Sequence, residues 1–230
     1  MLRHTAFFLS RDTITPEERL HMQKGLAYMR FECPSVRALD YGADIFGGSS
    51  HLNETKPWKR RPLWHARTLG PVYNHDIALH LDFDDQAGLD AYNNDDVHHE
   101  VGAYDAAVSF GEFTARVDYW YDGPPLIDRG LVRHTSMFLW ADDATDEAKQ
   151  RATDGFRALS TAPGVKRVTI GQNVGTTTTD YDWILDMHVS DPDATAALLK
   201  SGAYAEAIAA VVPATKYEWT ARLSHVMRGL

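Results

Sequence analysis

The chain has 230 residues, of which 44% are hydrophobic and 24% charged, a composition that supports a sizeable core rather than disorder. Its formal net charge of −9 argues against general nucleic-acid binding, which needs a basic surface. No segment approaches the ~20 apolar residues of a membrane span, and Met1 leads into a strand-like run rather than a signal peptide. The single cysteine, Cys33, excludes a disulfide framework and a cysteine metal cluster. We therefore predict a cytoplasmic protein with no nucleic-acid or membrane partner.

The sequence contains two copies of one repeat unit. Arg3-His4-Thr5 recurs as Arg133-His134-Thr135, at a spacing of 134 − 4 = 130 residues, whereas Asp76 corresponds to Asp182 at a spacing of 182 − 76 = 106. The first copy therefore carries an insertion. A unit of this length indicates duplication of a whole small domain. We expect one repeat at 1–124, with its insertion at about 46–69, and a second at 125–230.

Within the first copy, the elements follow in a clear order. An alternating strand begins at His4, and Thr15-Pro16-Glu17-Glu18 supplies an N-cap, a proline at the first helical position and an acid for a capping box. The helix that follows has an inner stripe of Met22, Leu26 and Met29.

Alternating patterns predict further strands at 36–41, 77–83 and 112–120, with a helical stretch at 84–110 that breaks near 93–96. The order is strand, helix, strand, strand, helix, strand. The predicted fold class is therefore α+β, with two ferredoxin-like (βαββαβ) repeats forming one intramolecular α+β barrel.

The two faces of the predicted sheet differ in polarity. Ile77, Leu79, Leu81 and Phe83 form an apolar face that we expect to lie under the helices. The opposite faces mix polar groups with apolar ones, and we expect His4, Phe8 and His80 to line a polar cavity between the two sheets.

Short motifs in the first copy resemble the stress-responsive A/B-barrel (Dabb) domain, a branch of the dimeric α+β barrels. They are Arg3-His4-Thr5, Leu81-Asp82-Phe83-Asp84, and Tyr92 followed by His98. The resemblance implies that the chain is a two-chain barrel fused into one. It further implies cofactor-free chemistry of the kind by which a polyketide cyclase of the family closes its substrate through aldol condensation. The family's catalytic Tyr and His correspond to Tyr92 and His98, and a pocket His to His4. The proline-containing stretch usual between them is replaced here by 93–97.

Comparing the copies separates shared residues from those used once. Tyr92 and His98 correspond to Leu198 and Tyr204, so only the first copy has the pair, whereas His4 recurs as His134. A histidine can act as base and then acid, and a tyrosine hydroxyl can stabilise an enolate. We predict His98 as the catalytic base and Tyr92 as the hydrogen-bond donor. The predicted substrate-binding residues are His4, His80, Phe8, Asp82, Arg116, Trp58 and Trp64.

Each of these residues also has a structural alternative. His98 and His99 can form a solvated surface pair, and Tyr92 can be a core residue. His4 can belong to a buried hydrogen-bond network of a kind that His134 shares. His80 can be a satisfied polar group. The sequence has no His-x-His or His-Glu-x-x-His spacing, so we predict neither a metal nor a cofactor.

The insertion contains a cluster of basic and aromatic residues in a chain that is acidic as a whole. Lys56, Lys59, Arg60 and Arg61 could attract a carboxylate or phosphate, while Trp58 and Trp64 cover an apolar ligand. The alternative is a surface loop that packs against a second chain or against nothing.

The leading functional prediction is a cofactor-independent cyclase, lyase or isomerase acting on a small, possibly polyketide-derived carbonyl compound. The alternatives are a non-catalytic, stress-related barrel that binds a hydrophobic small molecule, and a cofactor-free monooxygenase. The expected ligand is small and hydrophobic or carries a carboxylate. The expected assembly is a monomeric barrel or a homodimer of barrels.

Overall fold

The computed structural model describes residues 1–11, 13–46, 75–125, 128–175 and 181–230. Nearly all of the predicted insertion, including Trp58 and Trp64, lies outside these residues. In the first half the elements are β1 (Leu2–Phe8), α1 (Pro16–Glu32), β2 (Ala38–Ala43), β3 (Ile77–Phe83), α2 (Gln86–Asn93), α3 (Asp96–Val108) and β4 (Ala115–Trp120). In the second half they are β5 (Val132–Phe138), α4 (Asp146–Arg157), β6 (Val165–Gln172), β7 (Trp183–Val189), α5 (Pro192–Leu199), α6 (Gly202–Val211) and β8 (Ala221–Val226).

Each half builds one antiparallel sheet, in the order β2-β3-β1-β4 and β6-β7-β5-β8. This is the ferredoxin-like order, and the two sheets face one another. The predicted α+β fold of two ferredoxin-like repeats forming one barrel is confirmed.

Local sequence signals place the helix ends. Thr15 caps α1 and accepts a hydrogen bond from the Glu18 backbone N–H, while the Glu18 side chain accepts one from the Thr15 N–H. This is the predicted capping box. The predicted break in the second helical stretch is also present, because Asp95 caps a new helix and accepts from the Val97 N–H. The last strand begins later than predicted, since residues Gly111–Phe113 form a 3₁₀ turn before β4.

In the described part of the chain, no single helix is long and apolar enough to cross a membrane. The pair formed by Pro192–Leu199 and Gly202–Ala214, bent by 59°, passes that test on length and composition alone.

Two glycines allow the halves to approach closely in a pseudo-symmetric way. A Cβ on Gly42 of β2 would lie 2.6 Å from the ring of His225, and one on Gly171 of β6 would lie 2.2 Å from the ring of Tyr119. Both distances are far below van der Waals contact, and both rings are fully buried. The glycines therefore set the spacing between the halves.

We expect Gly171→Ala to lower the free energy of unfolding by about 1–3 kcal/mol or more, because the methyl group forces apart a packed interface. Gly102→Ala is the matched control: no atom lies within 4 Å of its added Cβ, and it sits inside α3. That change should stabilise the protein by about 0.5–1 kcal/mol. Urea unfolding of both variants tests this, and equal stabilities would contradict it.

Candidate functional site

The strand register decides which side chains share a face. Residues directly opposite in an antiparallel pair point to the same side. His4 is opposite Leu81, whereas Thr5 is opposite His80. Leu81, with Ala6 and Phe8, belongs to the core beneath the first-half helices. His4 and Phe8 therefore lie under the helices, and His80 and Asp82 face the second sheet.

This arrangement corrects the expectation that His4, Phe8 and His80 line one cavity. The prediction for β3 was right, but β1 carries polar and apolar residues on both faces, so its alternation cannot say which face meets the helices. Phe7 and Val117, on the other faces of β1 and β4, pack between the sheets.

The space between the sheets holds a buried ion network where a polar-lined cavity was predicted. Arg3 pairs with Asp82 at 2.7 Å and reaches across to Asp186 of the second half at 2.8 Å. In return, Arg133 of the second half pairs with Asp40 of the first at 2.9 Å. Buried charges are tolerated when they are paired in this way. Asp82, a predicted substrate-binding residue, is thus engaged by Arg3.

The predicted His80 also belongs to this inter-sheet layer. Its Nδ1 lies 3.0 Å from the Thr5 hydroxyl, and its ring stacks on that of His225 at 5.4 Å. Burial, and then the positive charge of Arg133, keeps the pKa of His80 well below its usual range. The structural alternative of a satisfied polar residue is met at Nδ1 only, because Nε2 of His80 is buried with no hydrogen-bond partner among the described residues.

The structure brings Tyr92 and His98 together between the helices and the first sheet. Tyr92 lies near the end of α2 and His98 in the first turn of α3, so the helix break folds one ring onto the other at 4.1 Å. The His4 ring lies 6.2 Å from that of Tyr92. His4, which is distant in sequence, thus joins Tyr92 and His98 in one cluster.

A residue that sequence reasoning missed completes this cluster. Asp118 of β4 is fully buried, and its Oδ1 lies 2.6 Å from Nδ1 of His4. A carboxylate on Nδ1 fixes the imidazole tautomer and leaves Nε2 as the basic nitrogen. The comparison of copies held a signal for it, because Asp118 corresponds to Ser224 at the same spacing of 224 − 118 = 106.

Tyr92 is 2% exposed, and its hydroxyl donates to the sulfur of Met29 at 3.5 Å. A thioether is a weak acceptor, so a stronger one can compete for this proton. Burial, with a smaller contribution from Cys33, raises the pKa of Tyr92 above its usual range. The hydroxyl therefore stays protonated.

His98 is half-buried, and burial followed by the charge of His4 lowers its pKa to about 4. It is neutral near pH 7. In the described part of the chain, no hydrogen-bond partner meets its buried Nδ1. Arg116, half-buried opposite Ala6 on the same sheet face, also disfavours the imidazolium. Phe8 packs in the same core as Tyr92.

The second half lacks this constellation. His134 bonds to the Ser224 hydroxyl at 2.8 Å, and the Tyr204 hydroxyl lies 3.4 Å from its other nitrogen. At the corresponding positions, the second half therefore has Ser224 and Tyr204 in place of Asp118 and His98.

Among the residues that the structure describes, no group of three or more His, Cys, Asp or Glu side chains is arranged to hold a metal ion.

Comparisons with known proteins agree with this architecture. Residues 132–221 match the family model described as Stress responsive A/B Barrel Domain (Dabb). No curated protein matches the sequence. An anthrone oxidase-like protein of known structure shares the fold with a TM-score of 0.66 at 10% identity, covering 100% of this chain and 92% of its own. A proposed monooxygenase from Lactobacillus acidophilus NCFM gives a TM-score of 0.54 at 11% identity, covering 99% of this chain and 93% of its own. The second half of the chain therefore matches the Dabb family model, and the first half repeats the same fold.

Proposed function

We propose that the first half is a cofactor-independent acid–base site that removes a proton next to a carbonyl group in a small organic substrate. The observation that carries this proposal is the His4–Asp118 contact beside Tyr92 and His98. Charged and polar groups with shifted pKa values cluster at functional sites more often than elsewhere. This cluster is also the feature that the otherwise similar second half lacks.

In the proposed mechanism, Nε2 of His4 accepts the substrate proton. Asp118 then stabilises the imidazolium that forms, as a carboxylate does in other catalytic dyads. This role moves the base from His98, which the sequence favours, to His4. The low pKa of His98 suits a neutral imidazole that orients the substrate better than one that must hold a proton.

Tyr92 is the proposed donor to the enolate oxygen. Its hydroxyl keeps its proton because of burial and would exchange the weak Met29 sulfur for a strong anionic acceptor. An interaction that strengthens as charge develops lowers the barrier, and one such donor is worth about 10² to 10³ in rate.

Proton removal leaves a carbanion, stabilised as the enolate, and two subsequent reactions of this carbanion fit the same first step. It can attack a carbonyl of the same molecule and recover a proton from His4, which gives an aldol cyclisation. Alternatively, it can react with dioxygen, so that CH2 and O2 become C=O and H2O without a cofactor. The full-length fold similarity to proteins described as monooxygenases and as anthrone oxidase-like supports the second fate.

Proton exchange tests the shared step independently of the fate. The purified chain is incubated without oxygen in deuterated buffer with anthrone or with acetylacetone, and loss of the CH2 signal is followed by NMR. We expect exchange about 10² to 10⁴ times faster than in buffer for the better probe. Oxygen uptake on admission of air would then favour the monooxygenase. Exchange at the buffer rate with both probes would contradict the proposal.

A further inference from the structure

Helix α1 exposes large apolar side chains along one side. Leu20 is 52% exposed, Tyr28 53% and Phe31 70%. They stand at positions i, i+8 and i+11, which lie on one face of a helix, and exposed Lys24 sits among them. We call these four residues the α1 stripe. A contiguous exposed apolar patch usually marks an interaction site.

The second half shows that the fold does not require this stripe. At the spacing 155 − 25 = 130 that aligns Gly25 with Gly155, the stripe becomes Gln150, Asp154, Ala158 and Thr161, all exposed. Gln150 and Asp154 lie on α4, and Ala158 and Thr161 lie in the 3₁₀ turn that follows it, so this side of the second half presents small or polar side chains to water. The apolar stripe is specific to the first half.

The groove beside the α1 stripe also distinguishes the two halves, because the helices that form it are further apart in the first half. A cavity of about 650 Å³ lies between α1 and α3, and Tyr28, Val101 and Tyr104 are among its lining residues. In the second half, Val101 and Tyr104 correspond to the smaller Ala207 and Ala210. Helices α4 and α6 approach so closely there that a Cβ on Gly155 would lie 3.2 Å from Ala210. Larger side chains hold the first pair of helices further apart.

The charges around the stripe complement one another. Glu32, with a smaller contribution from Glu100, raises the pKa of Tyr28, which places two carboxylates beside this ring. Lys24 lies one turn away toward the N-terminus. If two α1 helices pack antiparallel, Leu20 of one meets Phe31 of the other, and each Lys24 meets the Tyr28 ring and its acidic surroundings. The contacts are one cation–π pair and one ion pair, each made twice.

We propose that the α1 stripe and the adjoining groove form a two-fold interface with a second copy of this chain. A two-fold interface uses the same patch on both subunits and therefore needs a self-complementary surface, which the antiparallel pairing provides. The stripe is small compared with the ~800 Å² that a stable interface buries on each partner. The dimer is accordingly a weak one, with a dissociation constant in the micromolar range.

Sedimentation of the purified full chain from about 1 to about 500 µM tests this interface. The mass should rise from 25.8 kDa toward twice that value. The triple variant Leu20→Gln, Tyr28→Ala, Phe31→Thr introduces the residues of the second half and should weaken association at least about 100-fold. Val212→Thr, which changes another exposed apolar residue in the second half, should leave it unchanged.

A charge exchange separates self-association from binding of an unrelated partner. Lys24→Glu should weaken the dimer about tenfold, and adding Glu32→Lys should recover part of that loss. The ion pair forms again with its charges exchanged only between two copies, whereas the cation–π contact of Lys24 stays lost. Unfolding curves of all variants should match the wild-type curve. A chain that stays monomeric throughout, or a dimer indifferent to the triple variant, would overturn the proposal.

Discussion

Replacing Asp186 by alanine is expected to lower the free energy of unfolding by about 3–5 kcal/mol, because it leaves two buried arginines without their shared partner. Asp186 accepts from Arg3 at 2.8 Å and from the Tyr119 hydroxyl at 2.9 Å, and its other oxygen lies 3.2 Å from Arg133. Arg3 and Tyr119 come from the first half, and Asp186 and Arg133 from the second. The variant should therefore loosen the contact between the halves as well as the second sheet.

Asp154→Ala is the matched control for that measurement. Asp154 pairs with Arg157 at 2.7 Å, but both side chains are more than half exposed. Exposed pairs of this kind contribute about 0–1 kcal/mol. Guanidinium unfolding of both variants gives the comparison. Similar losses would show that the inter-sheet network adds no more stability than a surface ion pair.

Replacing His4 by glutamine is expected to reduce proton exchange on the probe substrate by about 10² to 10⁴. Glutamine retains a polar side chain but cannot take up the proton. Asp118→Asn should cause a comparable loss in kcat with little change in KM, because an amide no longer fixes the tautomer of His4. Tyr92→Phe should cost about 10² to 10³ through loss of the enolate hydrogen bond.

The chain supplies its own control for the His4 experiment. His134 occupies the equivalent position in the second half, is fully buried, and bonds to the hydroxyl of Ser224, the residue that corresponds to Asp118. His134→Gln should therefore leave proton exchange near the wild-type rate. If both variants lose activity equally, the single-site assignment is wrong. If His4→Gln keeps full activity while His98→Gln loses it, the base is His98, as the sequence favours.

Sequence comparison succeeded where the signal is local or repeated. The Thr15 capping box acts through bonds to a residue three positions away, so it can be read from spacing alone, and the break near 93–96 was visible in the same way. The resemblance to the Dabb motif pointed to Tyr92 and His98, and the comparison of copies added that the first copy has the pair whereas the second has Leu198 and Tyr204. Asp118 was missed because its partner, His4, lies on another strand, although its correspondence to Ser224 carried the same type of signal.

The amino-acid sequence by itself determined the duplication, the order of strands and helices, and the residues by which the two halves differ. These follow from periodicity, capping chemistry and internal comparison, all of which are properties of neighbouring or aligned positions. Only the tertiary structure decided which face of β1 meets the helices, and with it the separation of His4 from His80. The physical reason is that a period of two shows which side chains share a face, but not what covers that face when both faces mix polar and apolar residues. The ion network between Arg3, Asp186 and Arg133 likewise depends on how the two sheets are placed against each other.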